Sequence, residues 1–385
     1  VDQDSFWQAN SIRDNKICSG TFKDGIVFKS GGTTGNPKFS IYSRDEWNLF
    51  CKTFGEGIFK AGLSSGDKLA NLFYVGELYA SFIFIMKCIE EAPTGALQFP
   101  ISGSTKPADI VKTVDEFEIN VLAGLPTTIM NVAEYYSENR SKYGLLKVEK
   151  ILFGGESMYP DQRQRLQEIF PGVKIVSIGY ASVDAGLLGY ADASCGPDEH
   201  RVFGDATIFE IVDEDTLEPI TTPNKAGKVL ITNLIRSLMP IIRYPVGDRA
   251  IWTEEESLNK DRKYCIMGRS EEAARVGPVS VYYEDMRAFL ESSNLSFQVT
   301  GFQLIIKHFE FKDALILRIA SPERHIVSKD IEELIAAEFG AARVMFAEAI
   351  RDEKIHPLII EWADPSEVEI NSRTGKLRRV IDQRQ

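Results

Sequence analysis

Apolar and polar positions follow two different periods along the chain, and the period changes where the chain changes architecture. Residues 26–28, Ile-Val-Phe, read as a short strand. Ser43-Arg44-Asp45-Glu46 is a capping box, in which a hydroxyl and a carboxylate three residues apart can serve each other's backbone N–H groups. Trp47, Phe50, Phe54 and Ile58 then recur at helical spacing until Gly62 ends the run. Strand and helix signals alternate after that: a strand at 69–73, a buried helix at 78–89, a helix at 110–117, a strand at 121–123 and a helix at 129–136. A strand at 151–153, a helix at 161–169 and a strand at 175–178 complete the series. Alternation of this kind predicts a mostly parallel sheet with helices on its faces. Residues 1–24 are polar and irregular and read as a lead-in rather than a domain.

From Ala206 the text turns β-rich, with strands expected at 207–212, 229–233 and 241–252, followed by a charged patch at 253–263. A smaller α+β unit follows, with a helix at 283–290, strands at 302–306 and 314–319, an amphipathic helix at 329–339 and a strand at 358–362. The expected fold is therefore α/β. A large N-terminal domain of parallel-rich sheets and flanking helices carries a β-rich subdomain over residues 1–267. A small α+β C-terminal domain spans 268–385, with the boundary near residues 268–271.

The chain of 385 residues is 44% hydrophobic, enough for two or three packed domains. Its formal charge of −12 argues against a nucleic-acid or acidic-membrane partner. The five cysteines, Cys18, Cys51, Cys88, Cys195 and Cys265, are scattered without a C-x-x-C pair, which fits reduced thiols in a cytoplasm. The most apolar stretch, 81–89, is too short to span a bilayer and is interrupted by Lys87. No secretory signal opens the chain, whose first residue is Val1.

Candidate chemistry gathers in loops. Ser30-Gly31-Gly32-Thr33-Thr34-Gly35-Asn36-Pro37-Lys38 follows the first strand. Its glycines let several N–H groups turn into one concavity, its hydroxyls add neutral donors, and Lys38 adds charge, which suits the phosphates of a nucleotide. The Walker spacing is absent. Ligands of parallel sheets collect at the carboxyl ends of strands. Three expected strands run into distinctive loops there: 30–38, Gly154-Gly155-Glu156, and Gly179-Tyr180-Ala181-Ser182-Val183-Asp184. Taken singly, each has a plainer reading: a solvated turn, a core tyrosine, a glutamate serving local backbone donors, a turn acceptor at Asp248, a basic tail around Lys376. Cys195 with His200 supplies two metal ligands where a structural zinc needs four, so zinc is not expected, and His308, His325 and His356 read as structural or exposed.

The ordered set resembles the adenylate-forming superfamily of acyl-CoA synthetases and adenylation domains, most closely its phenylacetate–CoA ligase branch. The resemblance rests on the three loops above and on Pro240-Ile241-Ile242-Arg243-Tyr244-Pro245-Val246-Gly247-Asp248. Two later segments join them, Gly268-Arg269-Ser270-Glu271-Glu272 and Thr374-Gly375-Lys376-Leu377-Arg378-Arg379. It implies that ATP activates a carboxylic acid as its acyl-adenylate, with transfer to a thiol such as CoA, to a protein thiol or to an amine; a nucleotide-binding scaffold without catalysis is the other reading.

The resemblance assigns ATP contacts to Ser30, Gly31, Gly32, Thr33, Thr34, Gly35 and Lys38, and to Gly155, Glu156, Gly179, Tyr180, Ala181, Ser182, Asp248 and Arg269. Tyr180 would pack on adenine and Asp248 would accept from the ribose hydroxyls. Asp184 would bind Mg²⁺, Glu271 would be the hinge, and Lys376 with Thr34 and Lys38 would be catalytic. Gly277 falls on a loop that in this family reaches the site after the small domain rotates. An aromatic acid pocket lined by Phe73, Tyr74 and Tyr79 and a homodimer are further expectations. Gly31 stands where the family usually has Ser or Thr, Asp184 replaces Glu, and the phosphate loop comes early, so the usual N-terminal part is expected to be reduced. These departures resemble those of an atypical adenylating protein of phenazine-antibiotic (griseoluteic acid) biosynthesis.

Overall fold

The computed structural model describes residues 6–7, 15–21, 23–29, 39–76, 78–156, 158, 160–213, 216–269, 273–293, 299, 301–321, 324, 329–364, 367–369 and 378–384. They fall into two compact units, one running to Met267 and one from Gly268 onward.

The first unit opens with β1 (Ile26–Lys29) and β2 (Phe39–Tyr42), followed by α1 (Arg44–Lys60), β3 (Lys68–Leu72), α2 (Ser81–Glu91), β4 (Leu97–Pro100), α3 (Pro107–Glu116), β5 (Val121–Gly124), α4 (Pro126–Glu138), β6 (Lys150–Phe153), α5 (Pro160–Ile169) and β7 (Lys174–Ser177). Strands β4-β3-β5-β6-β7 form a five-stranded sheet in which every pairing is parallel. Successive side chains on these strands leave by opposite faces. Leu69, Val121, Ala123 and Leu152 enter one core with α1 and α2, while Ala70, Leu72, Leu122, Ile151 and Phe153 enter another with α3, α4 and α5. The capping box forms as expected: Ser43 caps α1 and the Glu46 side chain returns to the Ser43 N–H at 2.9 Å.

Three expectations need correction. The strand at 26–28 lies outside the parallel sheet and pairs antiparallel with β2, because the connection over 30–38 is shorter than any parallel crossover. The helix expected at 78–89 begins only at Ser81, whose hydroxyl bonds both backbone groups of Tyr74, and Leu78 sits exposed at φ 64°. The lead-in contains Phe6 and Trp7, both buried in the core of the β-rich sheet.

That sheet is built from β8 (Tyr180–Ser182), β9 (Gly186–Tyr190), β10 (Glu199–Val202), β11 (Thr207–Val212), β12 (Gly227–Asn233), β13 (Tyr244–Trp252) and β14 (Lys263–Arg269), in the order β11-β12-β13-β14-β10-β9-β8. The strand expected from 241 starts at Tyr244, since Arg243 turns the backbone into the left-handed region at φ 44°. Alternation along β13 buries Tyr244, Asp248, Ala250 and Trp252 on one face.

The second unit contains the hairpin β15 (Ala273–Val276) and β16 (Val279–Tyr282), then α6 (Tyr283–Ser292), β17 (Gly301–Phe309), β18 (Lys312–Ala320), α7 (Lys329–Ala342), α8 (Val344–Arg351), β19 (Ile359–Ala363) and β20 (Val380–Asp382). Its four-stranded sheet runs β19-β18-β17-β20. Buried Asp313 accepts from His308 Nδ1 at 2.8 Å, from Arg384 at 2.6 Å and from the Gly277 N–H at 3.0 Å. Burial alone would raise the Asp313 carboxyl, but these donors hold it below its ordinary value. His356 Nε2 lies 3.0 Å from Phe309 O, and because a carbonyl oxygen only accepts, the ring nitrogen is the donor.

Candidate active site

The parallel pairings set the location. Leu72, Gly124, Phe153 and Ser177 stand in one row across β3, β5, β6 and β7, so the residues that follow them leave the sheet at one carboxyl edge. Phe73, Gly154-Gly155-Glu156 and Ile178-Gly179 are those residues. Gly155 takes φ +80° and Gly179 φ +126°; a Cβ on Gly179 would stand 2.7 Å from the Phe54 ring and 3.1 Å from Gly189 O. Only glycine lets the backbone turn from β7 into β8 in this space.

Glu156 reaches the first turn of α4, where its carboxylate accepts from Thr127 N at 3.2 Å and Thr127 Oγ1 at 3.3 Å. A negative charge there is favoured by the open N–H groups of the helix start. Next to it, Tyr74 Oη and Thr128 Oγ1 share a 3.0 Å hydrogen bond. Phe73 is 3% exposed in the core, whereas Tyr79 is 39% exposed and its N–H closes a turn onto Gly76 O at 2.8 Å.

Beyond Gly179 two segments exchange side chains. Tyr180 Oη donates to Asp248 Oδ2 on β13, and Tyr244 Oη on β13 donates to Asp184 Oδ2 at 3.2 Å. Each segment thus contributes one phenol and one carboxylate four residues apart, and the two pairs cross. The main chain of the 180–184 segment is fixed as well. Tyr42 Oη donates to Val183 O at 2.9 Å, and an Arg236 guanidinium N–H donates to Asp184 O. That guanidinium lies over the Tyr42 ring, 4.3 Å from its centroid, and also bonds Ile41 O at 3.3 Å. Glu46 ties the neighbouring loop down, accepting from Ser237 N at 2.7 Å and Leu238 N at 2.6 Å. Burial would raise the Glu46 carboxyl, yet the backbone donors Leu238, Ser43 and Ser237 and the Ser237 hydroxyl leave it lowered.

Behind Tyr180, the His200 ring sits 6.1 Å away, with Nε2 2.8 Å from Ser177 Oγ, which also accepts the Gly179 N–H at 3.2 Å. Desolvation lowers the His200 pKa to about 4, so the ring is neutral near pH 7. Cys195 contacts Asp192 at 3.5 Å, and burial raises its thiol pKa.

Among known families, AMP-binding enzyme matches residues 26–238. The chain belongs to the AMP-binding enzyme family. It is an adenylate-forming ligase. A phenylacetate-coenzyme A ligase of Thermus thermophilus is 25% identical over 370 residues, 93% of this chain and 80% of that enzyme. An indoleacetate–lysine synthetase of Pseudomonas savastanoi is 26% identical over 232 residues, 58% of this chain and 53% of that enzyme, so the match spans about half its length. A solved structure of 2-hydroxyisobutyryl-CoA ligase with 2-HIB-AMP and CoA shares the fold at TM-score 0.71 and 20% identity, covering 99% of this chain and 78% of that one.

In this AMP-binding enzyme the described part of the expected site is Gly155, Glu156, Gly179, Tyr180, Ala181, Ser182, Asp184 and Asp248, all on the first unit: the first three leave the carboxyl edge of the parallel sheet, the 180–184 segment follows directly, and Asp248 is joined to it through Tyr180. Phe73 and Tyr74 leave the same edge, and Tyr79 lies on the surface turn that follows. Ser30, Gly31, Gly32, Thr33, Thr34, Gly35, Lys38, Glu271 and Lys376 lie outside the described residues, as does the Arg269 side chain. Sequence reasoning missed Trp7, Tyr42 and Arg236, saw Glu46 as a helix cap but not as the anchor of Ser237 and Leu238, and gave Tyr244 no role. A pair of large aromatics inside a polar stretch was the one signal for Trp7; nothing local marked Arg236.

Proposed function

We propose that the protein activates an aromatic carboxylic acid with ATP and passes the acyl group to CoA. The observation that carries this reading is the crossed Tyr180–Asp248 and Tyr244–Asp184 pairing at the carboxyl edge of the parallel sheet. It puts an aromatic ring and two carboxylates beside the glycine turns of a family that binds AMP. In the first half-reaction a carboxylate oxygen bonds to the α-phosphorus as the bond to pyrophosphate breaks, giving acyl-AMP. In the second, a thiolate bonds to the acyl carbon and AMP leaves, the thiol proton passing to solvent.

Both reactants of the first step are anions, so positioning and charge neutralisation dominate the barrier. Asp248 would accept from the ribose hydroxyls while Tyr180, held by its phenol, offers a ring face to adenine. Ser30 through Lys38 would hold the leaving phosphates, Arg269 would add a nucleotide contact, and Lys376 would pair with the substrate carboxylate, with Glu271 as the pivot. Phe73 and Tyr74 would border the acyl group, with Tyr79 at its outer rim.

Asp184 fits Mg²⁺. Among the described residues no group of three or more His, Cys, Asp and Glu could hold a metal alone. One carboxylate joined by phosphate oxygens and water is the donor set Mg²⁺ prefers. Bound there, the ion would neutralise phosphate charge.

Carboxylate-dependent exchange of labelled pyrophosphate into ATP tests the reading, over aryl, arylacetic and phenazine-carboxylic acids, the last group probing a role in phenazine-type metabolism. Exchange that disappears in Lys376→Ala is the expected result; ATP binding without exchange on any acid would favour a non-catalytic scaffold. The kinship with an enzyme named for lysine conjugation supports a second reading, an amine acceptor. Adding CoA or lysine to the exchange assay and following AMP release separates the two acceptors.

A further inference from the structure

We propose that Tyr244 is a positioning residue for the Asp184 carboxylate and that Trp7 sets the direction of the hydrogen bond it uses; this rests on the reading above that Asp184 holds Mg²⁺ with ATP. Trp7 Nε1 lies 3.0 Å from Tyr244 Oη. An indole N–H only donates, so the phenol oxygen must accept from it. The phenol's own hydrogen is then left to donate to Asp184 Oδ2, at 3.2 Å. A phenol alone could rotate its hydrogen away; one that already accepts from a buried indole has its geometry chosen for it.

The ring that carries this phenol cannot swing. Tyr244 is 1% exposed, and the Trp7 ring stands perpendicular to it at 6.2 Å between centroids, with Phe6 at 6.1 Å. At the other end of the aspartate, Arg236 holds the Asp184 carbonyl and Tyr42 holds that of Val183. Main chain and carboxylate are thus fixed independently, which leaves the side chain little choice of rotamer. A cation that draws most of its ligands from phosphates and water depends on the protein for the orientation of its single carboxylate. The same bond would be needed if Tyr244 merely satisfied a buried oxygen, so the test must read the metal and not only the fold.

ATP binding by the full chain is measured calorimetrically against free Mg²⁺, and again with EDTA, alongside thermal unfolding. Tyr244→Phe keeps the ring and removes the donor; it is expected to raise the Mg²⁺ midpoint about ten-fold, the size of effect usual for partners of metal ligands. Trp7→Phe is expected to raise it about three-fold, with metal-free ATP affinity in both variants within about two-fold of wild type. An unchanged midpoint in Tyr244→Phe, or an equal loss of affinity with EDTA, overturns the proposal. If Tyr244→Phe does not fold, the Trp7→Phe midpoint decides it in the same way. Asp184→Asn separates the two levels. Loss of Mg²⁺ dependence there with none in Tyr244→Phe rejects only the positioning role, whereas an Asp184→Asn protein that responds to Mg²⁺ like wild type rejects the metal assignment and the proposal together.

Discussion

Two tyrosine–aspartate pairs cross between the same two segments, yet they stand in different surroundings. Tyr244 is sealed, backed by Phe6 and Trp7, and its donor direction is set from inside the protein. Tyr180 is half-buried, with His200 behind it. One contact, a phenol donating to a carboxylate, is thus made by a sealed tyrosine in one place and by a half-buried one in the other. What distinguishes them is the second layer: an aromatic cage in the first case, a neutral imidazole and a serine in the second.

The comparison can be broken hardest at Gly179. Gly179→Ala forces a Cβ against Phe54 and Gly189 O at a left-handed φ, and should cost about 3 kcal/mol of stability in denaturant unfolding. A loss below about 0.5 kcal/mol would mean that the turn into β8 is not rigid. Next comes Asp248→Asn, which keeps the shape but removes the charge at the Tyr180–Asp248 pair. ATP affinity by calorimetry should fall about thirty-fold, roughly 2 kcal/mol, with little change in melting temperature. Unaltered affinity would assign Asp248 to structure alone.

A pH series sharpens the difference from behind. The His200 pKa lies at about 4 in the folded chain against an ordinary 6.5, so its contribution to stability is complete above pH 6.5 and is lost as pH falls toward 4. At pH 5.5 the loss should be about 1 kcal/mol relative to pH 7, and His200→Gln should flatten that limb of the curve. Identical acid limbs in both proteins would contradict a neutral, enclosed ring. The smallest effect is expected for Tyr180→Phe: about 1 kcal/mol of stability and a few-fold in ATP affinity, because one neutral donor is lost while the Asp248 carboxylate itself stays in place. A loss as large as that of Asp248→Asn would show that the phenol itself contacts the nucleotide.

Much of the scaffold was legible because its signals are local. The capping box at Ser43 and Glu46, the helical spacing of Phe50, Phe54 and Ile58, and the alternation from 69 to 178 each depend on neighbours a few residues away. The plainer reading of Glu156 as an acceptor for local backbone donors was legible only in part: it does accept from a backbone N–H, that of Thr127, but one 29 residues away. What could not be read were contacts between distant positions. Trp7 and Tyr244 are separated by 237 residues and Tyr180 and Asp248 by 68, and no period in the text links them. The short strands β8 and β10 were missed for a related reason: they hold their shape through partners in the sheet, not through the composition of their three or four residues. Strand 26–28 was placed in the wrong sheet because an apolar triplet states a conformation but names no partner.

Helix α1 packs on both sheets of the first unit. Its Phe50, Phe54 and Ile58 share a core with Leu69 and Val121 of the parallel sheet, and the same core takes in Leu187 and Tyr190 of β9. At Gly57 the helix comes so near Phe203 and Tyr190 that an added methyl would lie 2.8 Å from the Phe203 ring. Neither sheet can shed water-excluded surface without stripping the other, so the first unit should melt in one calorimetric transition, the glycine turns at 155 and 179 surviving or failing together with the helix between the sheets.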